Sequence, residues 1–294
     1  MKLRREAKGL HLYDRSSGFH ILLDEAPIPR DSVDVGPAVM SIALTNACDL
    51  SCPFCYAPKS THSLQTDHIV GWCRELDALG TLEIAFGGGE PTLYRNLPEL
   101  CRTLWCQTNL GISITTHGQH LTRELVDVLT GVVSVVRVSI DGPEPYYSSI
   151  RRRPLTQLMD RLDYMREKIP LGINTVVNLE TLPQLDEMAS VVKGLGAVDW
   201  LLLPEVRDGQ FTFNDSEWKT LDKWVGERRS EIEMRVSTEA AEHLTCPVLL
   251  ENQAEDYAHI SADGYLRRCS YVKGGIALQG STITRALHDL RHRA

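Results

Sequence analysis

Three cysteines within eight residues form the part of this sequence with the clearest chemical meaning. Cys48, Cys52 and Cys55 are separated by three and then two residues, and Phe54 directly precedes the last of them. Three thiolates on one short loop can hold three irons of a cubic [4Fe–4S] cluster and leave the fourth iron open to a reactant. The spacing therefore predicts a reactive iron–sulfur centre with these three cysteines as its ligands.

A zinc site or a set of unliganded thiols is the alternative interpretation of the same cysteines. Structural zinc is bound by four protein ligands, which usually come from two paired sets. His62 is the nearest histidine, and the sequence has no second Cys-x2-Cys pair. A non-catalytic iron–sulfur or zinc protein thus stays open as a function of another class.

A glycine-rich turn follows the second apolar run of the chain. Leu82–Phe86 leads into Gly87-Gly88-Gly89-Glu90-Pro91. Glycines let the main chain approach a ligand closely, and an acidic side chain suits a cationic amine. A plain turn between a strand and a helix would use the same residues.

The cysteine loop after one predicted strand and the Gly-Gly-Glu turn after the next resemble the radical S-adenosylmethionine (radical SAM) superfamily. The resemblance implies one [4Fe–4S] cluster on the three cysteines and S-adenosylmethionine (SAM) as cofactors. It also implies that Gly88, Gly89 and Glu90 meet the methionine ammonium of SAM, and that Phe54 packs near the adenine.

Further candidate residues lie at the ends of later predicted strands. Ser139 and Asp141 would bond the SAM ribose, because the Ser-x-Asp-Gly pattern resembles the branch of the family with SPASM or twitch C-terminal domains. Asp141-Gly142 could equally be a capping turn. Within Arg151–Arg153 we select Arg152 as a ligand for the SAM carboxylate or an anionic substrate. Asn174 is expected to face SAM or substrate.

The order of apolar runs and helical patterns predicts the fold. Strands alternate with helices from residue 39 onward, which is typical of parallel strands joined by crossover helices. Six such units match the incomplete (β/α)6 TIM-like barrel of radical SAM enzymes, and function in such folds collects at the carboxyl ends of the strands. The predicted strands are 39–44, 82–86, 112–116, 133–140, 171–177 and 198–203.

Outside this core we expect a smaller element at each end. Residues 1–37 would form a β-hairpin and a linker, 38–205 the barrel, and 206–294 a short α+β extension. The pattern loosens in this extension and predicts a helix over 215–228 capped by Asn214 or Asp215, a hairpin over 257–269 and a last helix over 283–290. Cys246 and Cys269 in that extension resemble fragments of a SPASM or twitch segment. Two cysteines cannot hold a conventional four-thiolate cluster, so the expected tail is trimmed and carries no auxiliary cluster.

The charge and composition of the chain limit the classes of partner and the cellular location that we expect. A net charge of −8 argues against nucleic acid or an anionic membrane as the main partner. No apolar run is long enough to span a membrane. The charged first residues lack the apolar stretch of a secretion signal, and reduced cysteines fit a metal ligand better than disulfides. We therefore expect a cytoplasmic protein.

The resemblance also implies the reaction. A reduced cluster would cleave SAM to methionine and a 5′-deoxyadenosyl radical, which takes hydrogen from the substrate in oxygen-sensitive chemistry. A flavodoxin or ferredoxin-type reductant is implied as a partner. We expect modification of a ribosomally made peptide, with a separate leader-peptide-binding protein, because few residues precede the barrel. A small-metabolite substrate is the alternative.

Overall fold

The computed structural model describes residues 1–24, 28–207, 209–245, 249–250 and 257–292 of the 294-residue chain. Cys246 lies outside the described residues. The described strands are β1 Lys2–Glu6, β2 Gly9–Asp14, β3 Phe19–Leu23, β4 Val39–Thr45, β5 Glu83–Gly88, β6 Gly111–Thr116, β7 Val135–Ser139, β8 Leu171–Val177, β9 Asp199–Pro204, β10 Val206–Arg207, β11 Gln210–Phe211, β12 Met234–Val236, β13 Leu249–Leu250, β14 Tyr257–Ile260, β15 Tyr265–Arg267 and β16 Ile276–Ala277.

The helices occupy the segments between the barrel strands and the last part of the chain. No helix within the described residues is long and apolar enough to cross a membrane. The helices are α1 Thr66–Ala78, α2 Leu97–Gln107, α3 Arg123–Leu129, α4 Tyr146–Arg151, α5 Leu155–Met165, α6 Leu185–Leu195, α7 Asp215–Arg228, α8 Thr238–Ala241 and α9 Ile283–His292.

One large sheet organises the molecule, in the order β13-β12-β9-β8-β7-β6-β5-β4-β14-β15-β16. Its strands are parallel from β13 to β14, and β15 and β16 continue the sheet antiparallel. Within the described residues β13 and β16 are its two edges, so the sheet curves without closing. The predicted α/β class and open, incomplete barrel are confirmed.

Each of the six predicted barrel strands is present, as β4 to β9, and the helices predicted between them are present as α1, α2, α3, α5 and α6. Of the strands and α-helices up to the end of β9, two were not predicted: β1, which makes the N-terminal hairpin a three-stranded sheet, and the short α4. After β9, the sequence also did not predict β10 to β13, α8 and β16. The predicted cap of α7 is confirmed, because Asn214 and Glu217 form a reciprocal capping box at its start.

The barrel strands alternate between an outer face packed under the helices and an inner face on a central cavity. Ile84 and Phe86 of β5 are fully buried in the apolar core, whereas Glu83 and Ala85, which alternate with them, line the cavity. The same alternation places Arg137 of β7 inside, between two buried valines. The barrel interior is therefore a cavity lined by apolar and charged side chains instead of the layered apolar core of a closed barrel.

The N-terminal sheet docks at the amino ends of the barrel strands. Tyr13 is fully buried there, and its hydroxyl occupies the space that a side chain at Gly111 would need. Arg15 donates hydrogen bonds to the carbonyl oxygens of Trp105 (2.9 Å) and Thr108 (2.6 Å). The hairpin thus lies at the end of the barrel opposite the carboxyl ends of the strands.

The chain after residue 205 extends the barrel sheet on both sides. Strand β12 pairs in parallel with β9, and β14 pairs in parallel with β4. The predicted hairpin at 257–269 is present as β14 and β15, and the predicted last helix is α9. Pairing of these strands with the barrel itself was not predicted.

Candidate functional site

The cysteine loop leaves the carboxyl end of β4 and returns beside the same strand. The backbone N–H of Asn46 donates to the carbonyl of His62 (2.9 Å), and that of Leu64 donates to the carbonyl of Leu44 (3.0 Å). These bonds hold both ends of the loop, so the three cysteines project from a fixed base at the rim of the barrel.

All three cysteines are free thiols that line the central cavity. Burial raises the pKa of the Cys48 and Cys52 thiols, so a metal bound here must displace their protons. The Cys48 sulfur accepts a hydrogen bond from the backbone of Leu50 (3.4 Å), and Lys59 reaches the Cys55 sulfur (3.7 Å). Three thiols on one loop, two of them with a donor to the sulfur, fit the [4Fe–4S] cluster implied by the spacing.

The glycine turn after β5 is bonded to the start of the cysteine loop. The backbone N–H of Gly89 donates to Thr45 (2.7 Å), and that of Glu90 donates to Ala47 (2.8 Å). A side chain at Gly88 or Gly89 would lie 2.3 Å from one of the same two carbonyl oxygens. These two glycines are therefore required by the close contact between the two motifs.

Gly87 has a different role, because a side chain there would meet nothing within 4 Å and this residue lines the cavity. A glycine at this position leaves room beside the cysteines for a bound group. The open space and the adjacent main-chain groups suit a ligand that approaches the backbone closely.

Glu90 is 1% exposed, and its carboxylate already has several donors. One oxygen accepts from the backbone of Thr92 (3.0 Å) and from the hydroxyls of Thr92 (2.5 Å) and Thr116 (2.6 Å). The other oxygen accepts from the backbone N–H of His117 (2.9 Å). Glu90 thus joins the ends of β5 and β6 and also borders the cavity.

His117 links this arrangement to the cysteine loop. Its Nε2 lies 2.9 Å from Asp49 Oδ1 and 3.3 Å from Glu90 Oε2. The backbone N–H of Gln119 donates to His117 Nδ1 (3.1 Å), which leaves the proton of a neutral imidazole on Nε2. Asp49 was not among the predicted residues, although it lies next to a predicted ligand.

The predicted pair at the end of β7 lies at the same rim. Ser139 and Asp141 both line the cavity. Asp141 is buried and accepts two hydrogen bonds from Arg151, from Nε at 2.8 Å and from Nη2 at 2.5 Å. The guanidinium carbon of Arg151 also lies 5.9 Å from the centre of the Phe54 ring.

Arg152, the arginine selected from the sequence, is not brought to the cavity. It is exposed and ends α4 in the left-handed conformation (φ 55°), whereas Arg151 is buried and faces the cavity. The prediction failed because α4 was not recognised, and the direction of a helix decides which of three consecutive arginines faces inward.

Asn174 of β8 lines the cavity and accepts a hydrogen bond from Arg137 (3.3 Å), and its contact with SAM or substrate stays a prediction. Cys269 also borders the cavity, and Tyr271 near it contacts Tyr56 of the cysteine loop at 4.5 Å between ring centres. Cys73 and Cys101 are buried in the core, whereas Cys106 is exposed.

The cavity extends from the cysteine loop to the N-terminal hairpin and has a volume of about 1620 Å³. Its middle and far end carry charged residues that were not predicted. The signal was present in the sequence, because Glu83 and Arg137 interrupt apolar strands at alternate positions. The charged residues at the far end of the cavity are Glu83, Arg137, Asp199 and Arg235.

Comparison with known proteins agrees with this geometry. The sequence profile of the radical SAM superfamily matches residues 42–192, which is just over half of the chain. The AdoMet-dependent heme synthase of Oleidesulfovibrio alaskensis is 27% identical over 235 residues, covering 74% of this chain and 60% of that protein. The PqqA peptide cyclase of Ruegeria pomeroyi is 28% identical over 174 residues, covering 55% and 45%.

The chain spans between 44% and 63% of the length of most of these curated relatives. Among solved structures, Streptococcus suis SuiB bound to its precursor peptide SuiA superposes with a TM-score of 0.73 at 13% identity. The match covers 94% of this chain and 84% of that one, and it supports the fold. The chain therefore belongs to the radical SAM superfamily, whose members use a [4Fe–4S] cluster and S-adenosylmethionine.

Proposed function

We propose that this chain reductively cleaves SAM at a [4Fe–4S] cluster held by Cys48, Cys52 and Cys55, and that it abstracts hydrogen from a ribosomally made peptide. One observation carries the proposal. The three-cysteine loop is hydrogen-bonded to the glycine turn at the rim of an open barrel, and both border one large cavity.

When bound, the cluster and SAM supply one-electron chemistry that activates a C–H bond of the substrate. The residues of this chain position the reactants. Gly87 leaves space beside the cysteines, and the buried Asp141–Arg151 pair offers a cation and an acceptor below Phe54. Ser139 and Asp141 are the groups we assign to the ribose, and Arg151 replaces Arg152 as the group for a carboxylate.

The extent of the cavity supports a peptide substrate. The cluster and SAM would occupy its cysteine end, and the remaining space reaches the N-terminal hairpin at the other end of the barrel. It runs through the barrel, as an extended substrate would require. A peptide cyclase among the relatives and a structural neighbour bound to its precursor peptide support the same choice.

A small-molecule substrate is favoured by a different observation. The heme synthase match covers 74% of this chain, whereas the PqqA peptide cyclase match covers 55%. The two candidates share the cluster, SAM and the reductant of the flavodoxin or ferredoxin type. They differ in what must enter the cavity.

The test of the chemistry is anaerobic. The protein is reconstituted with iron and sulfide, reduced, and given SAM, and 5′-deoxyadenosine is quantified. Cys52→Ala should abolish both the cluster absorbance and the product, whereas Cys106→Ala, on an exposed thiol, should change neither. A colourless zinc-loaded protein, or equal product from Cys52→Ala, would contradict the proposal.

The test of the substrate uses a short peptide encoded beside the gene, with and without a separate leader-binding protein. A SAM-dependent change in the mass of that peptide would support the peptide assignment. If 5′-deoxyadenosine forms but the peptide mass stays constant while a small metabolite is converted, the second candidate is correct.

A further inference from the structure

A group of charged side chains lies inside the barrel at the end away from the cysteines. Asp199, at the start of β9, is 3% exposed and contacts two guanidinium groups. Its Oδ2 lies 2.6 Å from Arg137 Nη2 and 2.8 Å from Arg235 Nε. Its Oδ1 has no hydrogen-bond partner within the described part of the chain, and an added side chain at Gly172 would lie 2.9 Å from that atom.

Arg235 is engaged on one side only. Its Nε contacts Asp199 at the stated distance, and its terminal nitrogens have no hydrogen-bond partner among residues 1–24, 28–207, 209–245, 249–250 and 257–292. The side chain is 34% exposed and lines the cavity. The free edge of the guanidinium is therefore available to a ligand inside the barrel.

The charged side chains around Arg235 include two acids and a second arginine. Asp199 contacts both Arg137 and Arg235. Glu83 lines the cavity with them, and burial raises the pKa of its carboxyl. His20 opens onto the cavity, but burial lowers its pKa to about 4, so it is neutral at pH 7. Glu233 also borders the cavity but is exposed, where water screens its charge.

We infer that Arg235 is a receptor for a carboxylate group of the substrate at the amino-terminal end of the cavity. A guanidinium edge matches a carboxylate in a bidentate geometry. A single free edge beside Asp199 and Glu83 suits a monoanion, because a phosphate dianion would be repelled by both acids. The inference rests on the proposed function only in assigning this cavity to the substrate.

The surroundings indicate that this carboxylate belongs to a molecule with an apolar or peptide body. Phe19 (60% exposed), Leu22 (48%) and Val198 (50%) border the same cavity near the hairpin. Exposed apolar side chains favour a ligand whose own apolar surface covers them. The carboxylate can come from an acidic residue or the C-terminus of a peptide, or from a small acid.

Binding of matched probes to the full-length reconstituted protein, without SAM, tests the inference. The peptide pair is a capped leucine–glutamate–leucine tripeptide and its glutamine analogue, and the small-molecule pair is hexanoate and hexanamide. We expect at least one acid to bind about tenfold more tightly than its amide, and Arg235→Gln to remove that preference. Arg102→Gln, on an exposed arginine of α2, should preserve it.

The two pairs distinguish the sources, because a peptide site prefers the glutamate tripeptide and a small-acid site prefers hexanoate. Equal binding of acid and amide, binding of neither, or an unchanged preference in Arg235→Gln would overturn the inference. These measurements do not depend on SAM cleavage. If the protein does not cleave SAM but still prefers the acid over its amide, the proposed function is contradicted and the assignment of Arg235 as a carboxylate receptor is not.

A second measurement needs no variant. Phenylglyoxal modifies accessible guanidinium groups, and peptide mass spectrometry locates the modified residue. In the wild-type protein we expect the preferred acid, but not its amide, to slow modification of Arg235 by about tenfold. Equal modification of Arg235 with both probes would count against the receptor.

Discussion

The imidazole Nε2 of His117 lies 2.9 Å from the carboxylate Oδ1 of Asp49, which joins the end of β6 to the cysteine loop. The backbone N–H of the same histidine donates to Glu90, so one residue connects the two sequence motifs. Neither contact involves a cysteine sulfur. The contact therefore holds the cysteine loop against the end of β6.

We expect His117→Ala to weaken SAM binding about tenfold while the iron content per chain stays unchanged. The variant removes the link that orients the loop over the glycine turn, but all three thiols remain. Spectral titration of the reconstituted protein with SAM, together with iron analysis, measures both quantities. His120 also contacts Asp49 (3.2 Å) but is 39% exposed, so His120→Ala is the matched control. Loss of iron in His117→Ala would contradict a positioning role.

Glu90→Ala should destabilise the fold in addition to affecting SAM. The change leaves the buried donors of Thr116 and His117 without an acceptor, which costs about 1–3 kcal/mol. Urea unfolding of the cluster-free protein measures this cost directly. Glu90→Gln retains an acceptor oxygen and should cost less. Equal stability of wild type and Glu90→Ala would show that the carboxylate acts on a ligand alone.

The buried Asp141–Arg151 pair should behave as a coupled unit. Arg151→Met leaves the carboxylate of Asp141 buried without its cation, which costs about 3–5 kcal/mol. Asp141→Asn combined with Arg151→Met should recover much of that loss, because no buried charge remains. A double-mutant cycle in urea supplies the measurement, and additive losses would refute the coupling.

Cys269→Ala tests the expected absence of an auxiliary cluster. Cys269 borders the cavity beside the cysteine loop, so a second iron site would include it. We expect four irons per chain, the content of one cubic cluster, in both the wild type and the variant. Iron and sulfide analysis after reconstitution measures this content. A wild-type iron content above that of one cubic cluster, which falls in Cys269→Ala, would contradict the expected absence of an auxiliary cluster.

The motifs and the barrel strands could be predicted from the sequence, because the pattern that identifies each of them lies within a few neighbouring residues. Three closely spaced cysteines and a run such as Ile112–Ile114 carry their meaning within a few residues. The Asp49–His117 contact spans 68 positions and depends on how two loops meet at the rim. Such a contact has no local signal in either segment.

Arg235 illustrates the same limit at the other end of the cavity. Its place opposite Asp199 depends on the parallel pairing of β12 with β9, in which Arg235 is opposite Leu201. The loosened pattern after residue 205 gave no indication that another strand joins the barrel. By contrast, Arg137 could have been placed inside, because it alternates with buried valines in a predicted strand.

His259 makes stability depend on pH in a predictable direction. Burial, with a smaller effect of Arg267, lowers the pKa of His259 to about 4, and its Nδ1 lies 3.1 Å from the hydroxyl of Ser41. The unfolded residue titrates near 6.5, so between these values the unfolded chain binds more protons than the folded one. The free energy of unfolding must therefore fall as the pH decreases through this range.

Between pH 7 and pH 5, proton binding to His259 in the unfolded chain lowers the free energy of unfolding by about 2 kcal/mol. Urea unfolding at several pH values should show this loss in the wild type and a loss smaller by that amount in His259→Gln, whose amide can still bond Ser41. His288→Gln, at a position where the side chain is 68% exposed, should retain the wild-type dependence. Identical pH dependence in the wild type and His259→Gln would mean that the folded protein accepts the proton at His259 without penalty.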